Sequence, residues 1–370
     1  MAGKMTRRIH PGKTQGNRGN KPAKRKMKIA LQGLFPEELQ ALCRAAGQPA
    51  FRGKQLWQWV QVQGATRWDQ MGNLPKELKE KLAATYTPAP AKLLKESGDA
   101  GGTRKWLVGL DDGEAVETVL IPARDWTTVC LSTQVGCKMG CAFCASGKCG
   151  FARSLSAGEI VAQFQLVAAA VGRRPDNVVY MGMGEPFDNY DEVLKSVRIL
   201  NHSDGLNVGA RRITISTSGV VPGIRRLAEE GLQVELSVSL HAPNHELRRQ
   251  LMPIENKYPI HELLAACVDY TAKTKRFVTF EYVLIRGLND SARDAEELAG
   301  HLRKFSCRVN LIPLSPVEEF AGEAPPRAAI EAFQRTLENR GVSVTLRDSK
   351  GKGVDAACGQ LRRRTRAAGE

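Results

Sequence analysis

Cys137, Cys141 and Cys144 lie in "CKMGCAFCASGKCG" (137–150), a stretch that gathers four of the nine cysteines of a 370-residue chain. Their C-x3-C-x2-C spacing puts three soft sulfur donors on one short loop, suited to zinc or to an iron–sulfur cluster. A closed zinc site takes four protein ligands, and Cys149 could complete a knuckle, although it follows only after Ser146, Gly147 and Lys148. Three ligands alone would leave one iron of a 4Fe–4S cluster open for chemistry. Cys43, Cys130, Cys267, Cys307 and Cys358 are scattered singly. Read in isolation, each is a small buried hydrophobe. An odd cysteine count without the spacing of a disulfide framework points to a reducing, cytoplasmic setting.

Such residues need a scaffold. Six apolar runs alternate with helical stretches: "TTVCLST", "VVYMGMGE", "ITISTSG", "VELSVSLHA", "FVTFEYVLI" and "VNLIPLSP". That rhythm predicts an α/β fold of parallel strands with crossover helices, a barrel or partial barrel over 126–346. Functional residues of such a fold gather at the C-terminal ends of its strands. Gly184 and Glu185, Ser216, Ser239 and His241, and Ser315 fall at those ends. Alone, His241 reads as a structural histidine and the Gly-x-Gly of "MGMGEP" as a tight turn.

Upstream, 29–90 reads as a helical module. "FPEELQALCRAAG" opens with Pro36, Glu37 and Glu38, as a helix start prefers, and "AFRGKQLWQWVQ" spaces Phe51, Leu56, Trp59 and Val60 helically. Its tryptophans are expected in the core rather than as RNA-stacking platforms. Within 91–125, "TRKWLVGLDDGEAVETVLIP" predicts a hairpin turning at Asp112-Gly113. Residues 347–370 form a Gly-rich loop around Cys358 and a basic end.

The net charge of +15 is uneven: ten of the 54 Lys and Arg residues fall in residues 1–28, which contain no acid. That segment has too little apolar content to fold and is expected to be a disordered basic tail, either solubilising or binding phosphate. It lacks the apolar core of a signal peptide, and no run approaches the length of a membrane span. Nucleic acid is the favoured partner, with no membrane association and a monomeric state expected.

The cysteine triplet, with Phe143 before its last member, resembles the radical S-adenosylmethionine (SAM) superfamily, and "MGMGEP" (181–186), "STSG" (216–219) and "SLHAPN" (239–244) match its SAM-binding segments. "VETVLIP" (116–122), "VDAACGQL" (354–361) and "AFRGKQLWQWV" extend the resemblance, over about residues 30–361, to the RlmN/Cfr family of RNA adenine methyltransferases, nearest its RlmN branch.

The resemblance implies a partial (β/α)6 barrel with a helix-hairpin-helix-like RNA-binding module at 29–90. It implies a 4Fe–4S cluster on Cys137, Cys141 and Cys144, with SAM held by Gly184, Glu185, Ser216, Ser239, Leu240, His241 and Ser315. The resemblance further implies two SAM molecules per turnover and a flavodoxin or ferredoxin system as electron donor. The substrate implied is C2 of adenosine in 23S rRNA, with tRNA as a second target. Adenine C2 is electron-poor and cannot attack an electrophilic methyl, so a radical route is needed. In the implied route Cys358 takes a methyl from one SAM, and a second SAM yields the radical that activates it. The resulting carbon joins the base, and Cys130 frees the product through a transient disulfide with Cys358. Glu117 matches a position assigned as proton acceptor. The lesser alternative is a solvated strand carboxylate.

Cys149, Cys43, Cys267 and Cys307 are left as structural. Two departures concern RNA and SAM selection: Ser315 stands where the family often has Asn, and "RDSKGKGVD" (347–355) differs from the commoner run. C8 methylation in the Cfr manner, a radical SAM enzyme on a non-RNA substrate, and a zinc-knuckle RNA-binding protein stay open as alternatives.

Overall fold

Ten strands join in strict sequence order into one sheet, which the chain crosses from edge to edge without a jump. A computed structural model describes residues 27–99, 102–303, 305–347, 351 and 355–362. Most of the expected basic tail, and most of the segment 348–354, lie outside the described residues.

The sheet begins with β1 (Ala91–Gly98), β2 (Arg104–Leu110) and β3 (Ala115–Pro122). It continues with β4 (Thr127–Cys130), β5 (Asn177–Tyr180), β6 (Ile213–Thr217) and β7 (Glu235–Ser239). It ends with β8 (Val278–Leu284), β9 (Cys307–Pro313) and β10 (Ser343–Leu346). From β4 to β10 all neighbours are parallel, whereas β1 to β4 pair antiparallel. All six expected parallel strands are present. The seventh, β10, and the edge strand β1 are additions, and the hairpin of β2 and β3 extends the same sheet rather than standing apart.

Parallel strands need crossovers, and helices supply them: Ala157–Val171, Tyr190–Asn201, Val221–Glu229, Ile260–Thr274, Ala292–Leu302 and Arg327–Asn339. Central strands bury Val129, Val178, Ile215, Val238, Phe280 and Val309 completely, which is why they read as near-continuous apolar runs. The helix Ala157–Val171 starts at a capping box in which Ser156 and Glu159 satisfy each other's backbone.

The N-terminal module contains helices Pro36–Ala45, Phe51–Trp57 and Lys76–Ala83. Leu56, Trp57 and Val60 are buried and Trp59 is half-buried, as expected of a core face, but Phe51 is 52% exposed, because it opens its helix on the solvent side. The module docks tightly: a Cβ on Gly33 would meet the backbone nitrogen of Gly158 at 2.7 Å, so only glycine fits there. Trp57 donates its indole N–H to the carbonyl of Asp204 at 2.8 Å.

Candidate active site

The cysteine loop leaves the sheet just beyond β4 and is closed at its base by a short antiparallel ladder, Gln134–Gly136 against Phe151–Ser154. Gly136 allows that closure, since its φ is +79° and a Cβ there would collide with the carbonyl oxygen of Gly150. Inside the loop the Ala142 N–H donates to the Leu251 carbonyl at 2.8 Å, and Phe143 packs with Leu251 and Met252. Cys137, Cys141 and Cys144 thereby line one cavity. Cys149 is not on its wall, being the cap of the short helix Ala145–Lys148. Burial pushes the Cys137 thiol up to about 12 and raises Cys141 and Cys144, with the neighbouring sulfurs adding to the effect at Cys137 and Cys141. Cluster binding must therefore expel protons, which ties it to pH.

The strand ends complete the cavity. Gly184, Glu185, Ser216, Ser239, His241 and Ser315 all line it, as the sequence reading expected. Leu240 does not: its side chain is fully buried, and it contributes a carbonyl to Arg248 instead. Gly184 has φ +102°, and a Cβ there would press into Gln134. Glu185 spans two loops, accepting from Ser218 N–H at 2.7 Å and Phe187 N–H at 3.0 Å. Burial raises its carboxyl, and those two N–H groups oppose the rise.

His241 adopts φ +57°, a costly conformation for a non-glycine residue. Fully buried Asn289 holds it there by donating to the His241 and Val283 carbonyls. His241 Nδ1 accepts from Val283 N–H at 3.0 Å, so the neutral ring carries its proton on Nε2. Burial drives its pKa down to about 3, with the Arg248 cation assisting, and its ring meets Phe143 edge-on at 4.8 Å. The histidine thus offers a fixed, uncharged N–H at neutral pH.

Cys358 reaches the same cavity from the C-terminal loop, where it is exposed to the interior opening. It also lines a second cavity, with Cys130, Val179, Met181, Ile312 and Leu361. The two lone cysteines expected to react together are therefore brought together. Burial lifts the Cys130 thiol to about 12 and raises Cys358, while the Arg347 guanidinium pulls both back.

Sequence reading missed Arg347 and Glu281, both on the cavity wall. Arg347 Nη1 lies 3.5 Å from Glu281 Oε2. Glu281 Oε1 is held by Ser237 Oγ at 2.7 Å and Asn310 Nδ2 at 3.1 Å. It also missed Arg248, fully buried, which pairs with Glu255 and donates to the carbonyls of Ser218, Ser239 and Leu240. Nothing in "HELRRQLMPIE" sets Arg248 apart from its neighbour Arg249. Glu117 is buried rather than solvated, 2% exposed, and lines neither cavity.

The donors fit the implied cofactors. Three cysteine sulfurs face one cavity and Cys149 does not, a donor set that suits a cluster with one corner left to another ligand. On the same wall the hydroxyl of Ser315 is buried without a hydrogen-bond partner, as suits a site for a polar ligand such as SAM.

Fold and site together define a radical SAM enzyme. The radical SAM superfamily model matches residues 131–299, and a model of the ribosomal RNA large subunit methyltransferase N-terminal domain matches 29–87. A solved radical SAM methyltransferase from Sphaerobacter thermophilus superposes with a TM-score of 0.87 at 48% identity, covering 90% of this chain and 99% of that one. A probable dual-specificity RNA methyltransferase RlmN from Symbiobacterium thermophilum is 48% identical over 90% of this chain and 91% of its own. One from Geobacillus thermodenitrificans is 46% identical over 91% and 93%. The chain belongs to the RlmN family of radical SAM RNA methyltransferases. Membership implies a 4Fe–4S cluster and SAM. No helix among the described residues is long and apolar enough to cross a membrane.

Proposed function

We propose that the enzyme methylates C2 of adenosine in 23S rRNA, and in tRNA as a second substrate, with Cys358 as methyl carrier and Cys130 as the group that releases the product. The observation that carries this reading is the placement of Cys358 on both cavities, one shared with the clustered cysteines and one shared with Cys130.

Cys137, Cys141 and Cys144 would hold the cluster, and Glu185, Ser216, Ser239, His241 and Ser315 would hold SAM. Bound there, the cluster and SAM supply one reducing electron and a carbon-centred radical. The chain's own residues do the rest. Cys358 accepts a methyl group by displacement as a thiolate, with Arg347 favouring that form. After hydrogen loss from its methyl group, Cys358 delivers the carbon to adenine C2. The adduct radical gives back one electron and Cys130, as thiolate, takes the C2 proton. Once deprotonated again, Cys130 attacks the Cys358 sulfur, breaking the S–CH2 bond. The released carbon takes up a proton to become the methyl group of the RNA, leaving a disulfide that the external electron donor must reduce. Two SAM molecules are used per cycle, one for each stage. A flavodoxin or ferredoxin system is the fitting donor of electrons.

The test is anaerobic incubation of reconstituted enzyme with SAM, reductant and unmethylated RNA, followed by mass spectrometry of the nucleosides. 2-Methyladenosine is the expected product. 8-Methyladenosine alone would overturn the C2 assignment, and SAM turnover with no methylated RNA would overturn the RNA assignment.

A further inference from the structure

Two buried charges flank the Cys358 loop without facing either cavity. Lys105 on β2 and Glu117 on β3 are 7% and 2% exposed, and Lys105 Nζ lies 3.3 Å from Glu117 Oε1. The strand register makes them diagonal neighbours, with Leu107 opposite Glu117 and Lys105 opposite Val119. Lys and Glu are almost never buried unless paired, and a buried pair repays its desolvation only when its remaining donors and acceptors are also used.

Here a donor of Lys105 and an acceptor of Glu117 hold the same loop. Lys105 Nζ donates to the Asp355 carbonyl at 3.0 Å, three residues before Cys358. Glu117 Oε2 accepts from the Arg362 backbone N–H at 3.0 Å, four residues after it. Asp355 has φ +50°, a conformation that persists in a non-glycine residue only where its surroundings hold it. The Lys105 bond to its carbonyl is such a hold. Between the two anchors the loop touches the cluster loop, where Ala145 N–H donates to Gly359 O and Ser146 Oγ to Leu361 O. The loop's ends are thus fixed to the sheet and its middle to the segment that follows Cys144.

We propose that Lys105 and Glu117 form a buried buckle that fixes both flanks of the Cys358 loop, making Glu117 a positioning residue for the methyl carrier rather than the proton acceptor. The inference rests on the function proposed above, and a displaced sulfur of about 1 Å is enough to slow a positioned displacement about a hundredfold.

The test uses reconstituted full-length protein and methyl-labelled SAM, reading label on Cys358 by peptide mass spectrometry in a single turnover. Replacing both charges with apolar groups (Lys105→Met with Glu117→Leu) removes the buckle without stranding a charge. The expected result is unchanged cluster absorbance with Cys358 methylation slowed at least about tenfold, and no RNA adduct accumulating. Wild-type methylation of Cys358 with a trapped RNA adduct would overturn the proposal and restore Glu117 as proton acceptor. Should the double variant not fold, hydrogen exchange of the wild type decides. Protection of the Arg362 amide comparable to that of β4 supports the buckle, and exchange at the rate of an open loop refutes it. Unlabelled Cys358 in the wild type would strike the function itself, while hydrogen exchange would still judge the buckle.

Discussion

Cys130, at the end of β4, and Cys358, on the C-terminal loop, face one cavity although 228 positions separate them in sequence. The route they suggest assigns them different failures. Cys358→Ala removes the carrier and should abolish base methylation. Cys130→Ala leaves the sulfur–carbon bond from Cys358 to the RNA-bound carbon uncleaved, so protein crosslinked to RNA should accumulate on a denaturing gel. A Cys130→Ala enzyme that turns over with no adduct would remove Cys130 from product release.

The two thiols should also differ in reactivity. Burial lifts Cys130 to about 12, so its thiolate is about a thousandfold scarcer at pH 8 than that of a free cysteine near 9. In the metal-free protein iodoacetamide should modify exposed Cys358 well before Cys130, as peptide mapping of a time course would reveal. The sign for stability follows. A thiol whose folded pKa is raised keeps its proton when the unfolded chain has lost it, so Cys130 reduces stability as pH climbs from 9 towards 12.

Acid should act through His241. Its folded pKa is depressed to about 3, while the unfolded ring takes a proton near 6.5. The unfolded state then binds more protons between these values, and stability falls as pH drops below about 6.5, by up to about 1.4 kcal/mol per unit from this group. Urea titrations at pH 7.5, 6 and 5 should show that loss in the wild type and a shallower one in His241→Gln. Equal slopes would contradict the buried neutral ring.

Arg248 and Glu255 are both fully buried and paired. Arg248→Met leaves buried Glu255 with only His245 Nδ1 and the Ile260 N–H on its other oxygen and should cost about 3 kcal/mol, whereas adding Glu255→Gln should recover most of the loss. Because Arg248 holds the carbonyls of Ser218, Ser239 and Leu240, the double variant should fold yet bind SAM more weakly, measurable by calorimetry on reconstituted protein.

Ser315 occupies the wall with an unpartnered hydroxyl. Ser315→Ala should weaken SAM binding by about 1 kcal/mol, roughly fivefold. Ser315→Asn, which restores the family's commoner side chain, should bind at least as well as wild type.

How far the sequence was legible depended on burial. The six central strands announce themselves because both faces are covered, leaving apolar runs such as "VVY" and "ITIST". The edge strand β1, "AKLLKESG", is exposed along most of its length and carries two lysines and a glutamate, so it reads as loop. The edge strand β10, "SVTL", is only four residues long and buries none of them fully, so it too leaves little apolar signal. The residues marked by dense local motifs, the three clustered cysteines, Gly184, Glu185 and His241, all come to one cavity. Arg347, Glu281, Arg248 and Lys105 are not so marked, because each matters through a partner remote in sequence. Lys105 meets Asp355, for instance, only once β2 has been paired and the C-terminal loop folded back. Leu240, implied by the resemblance of "SLHAPN", buries its side chain just beyond the end of β7 and leaves only its backbone toward its neighbours.

Everything proposed depends on a cluster held by three cysteines, with a corner left for SAM. The direct measurement is iron and sulfide analysis of anaerobically reconstituted protein, with electron paramagnetic resonance of the reduced cluster before and after SAM is added. The account predicts about four irons and four sulfides per chain. It predicts a spectrum that changes with SAM, the same behaviour in Cys149→Ala, and loss of the cluster in Cys141→Ala. One zinc per chain, or a cluster that needs Cys149 and ignores SAM, would contradict it.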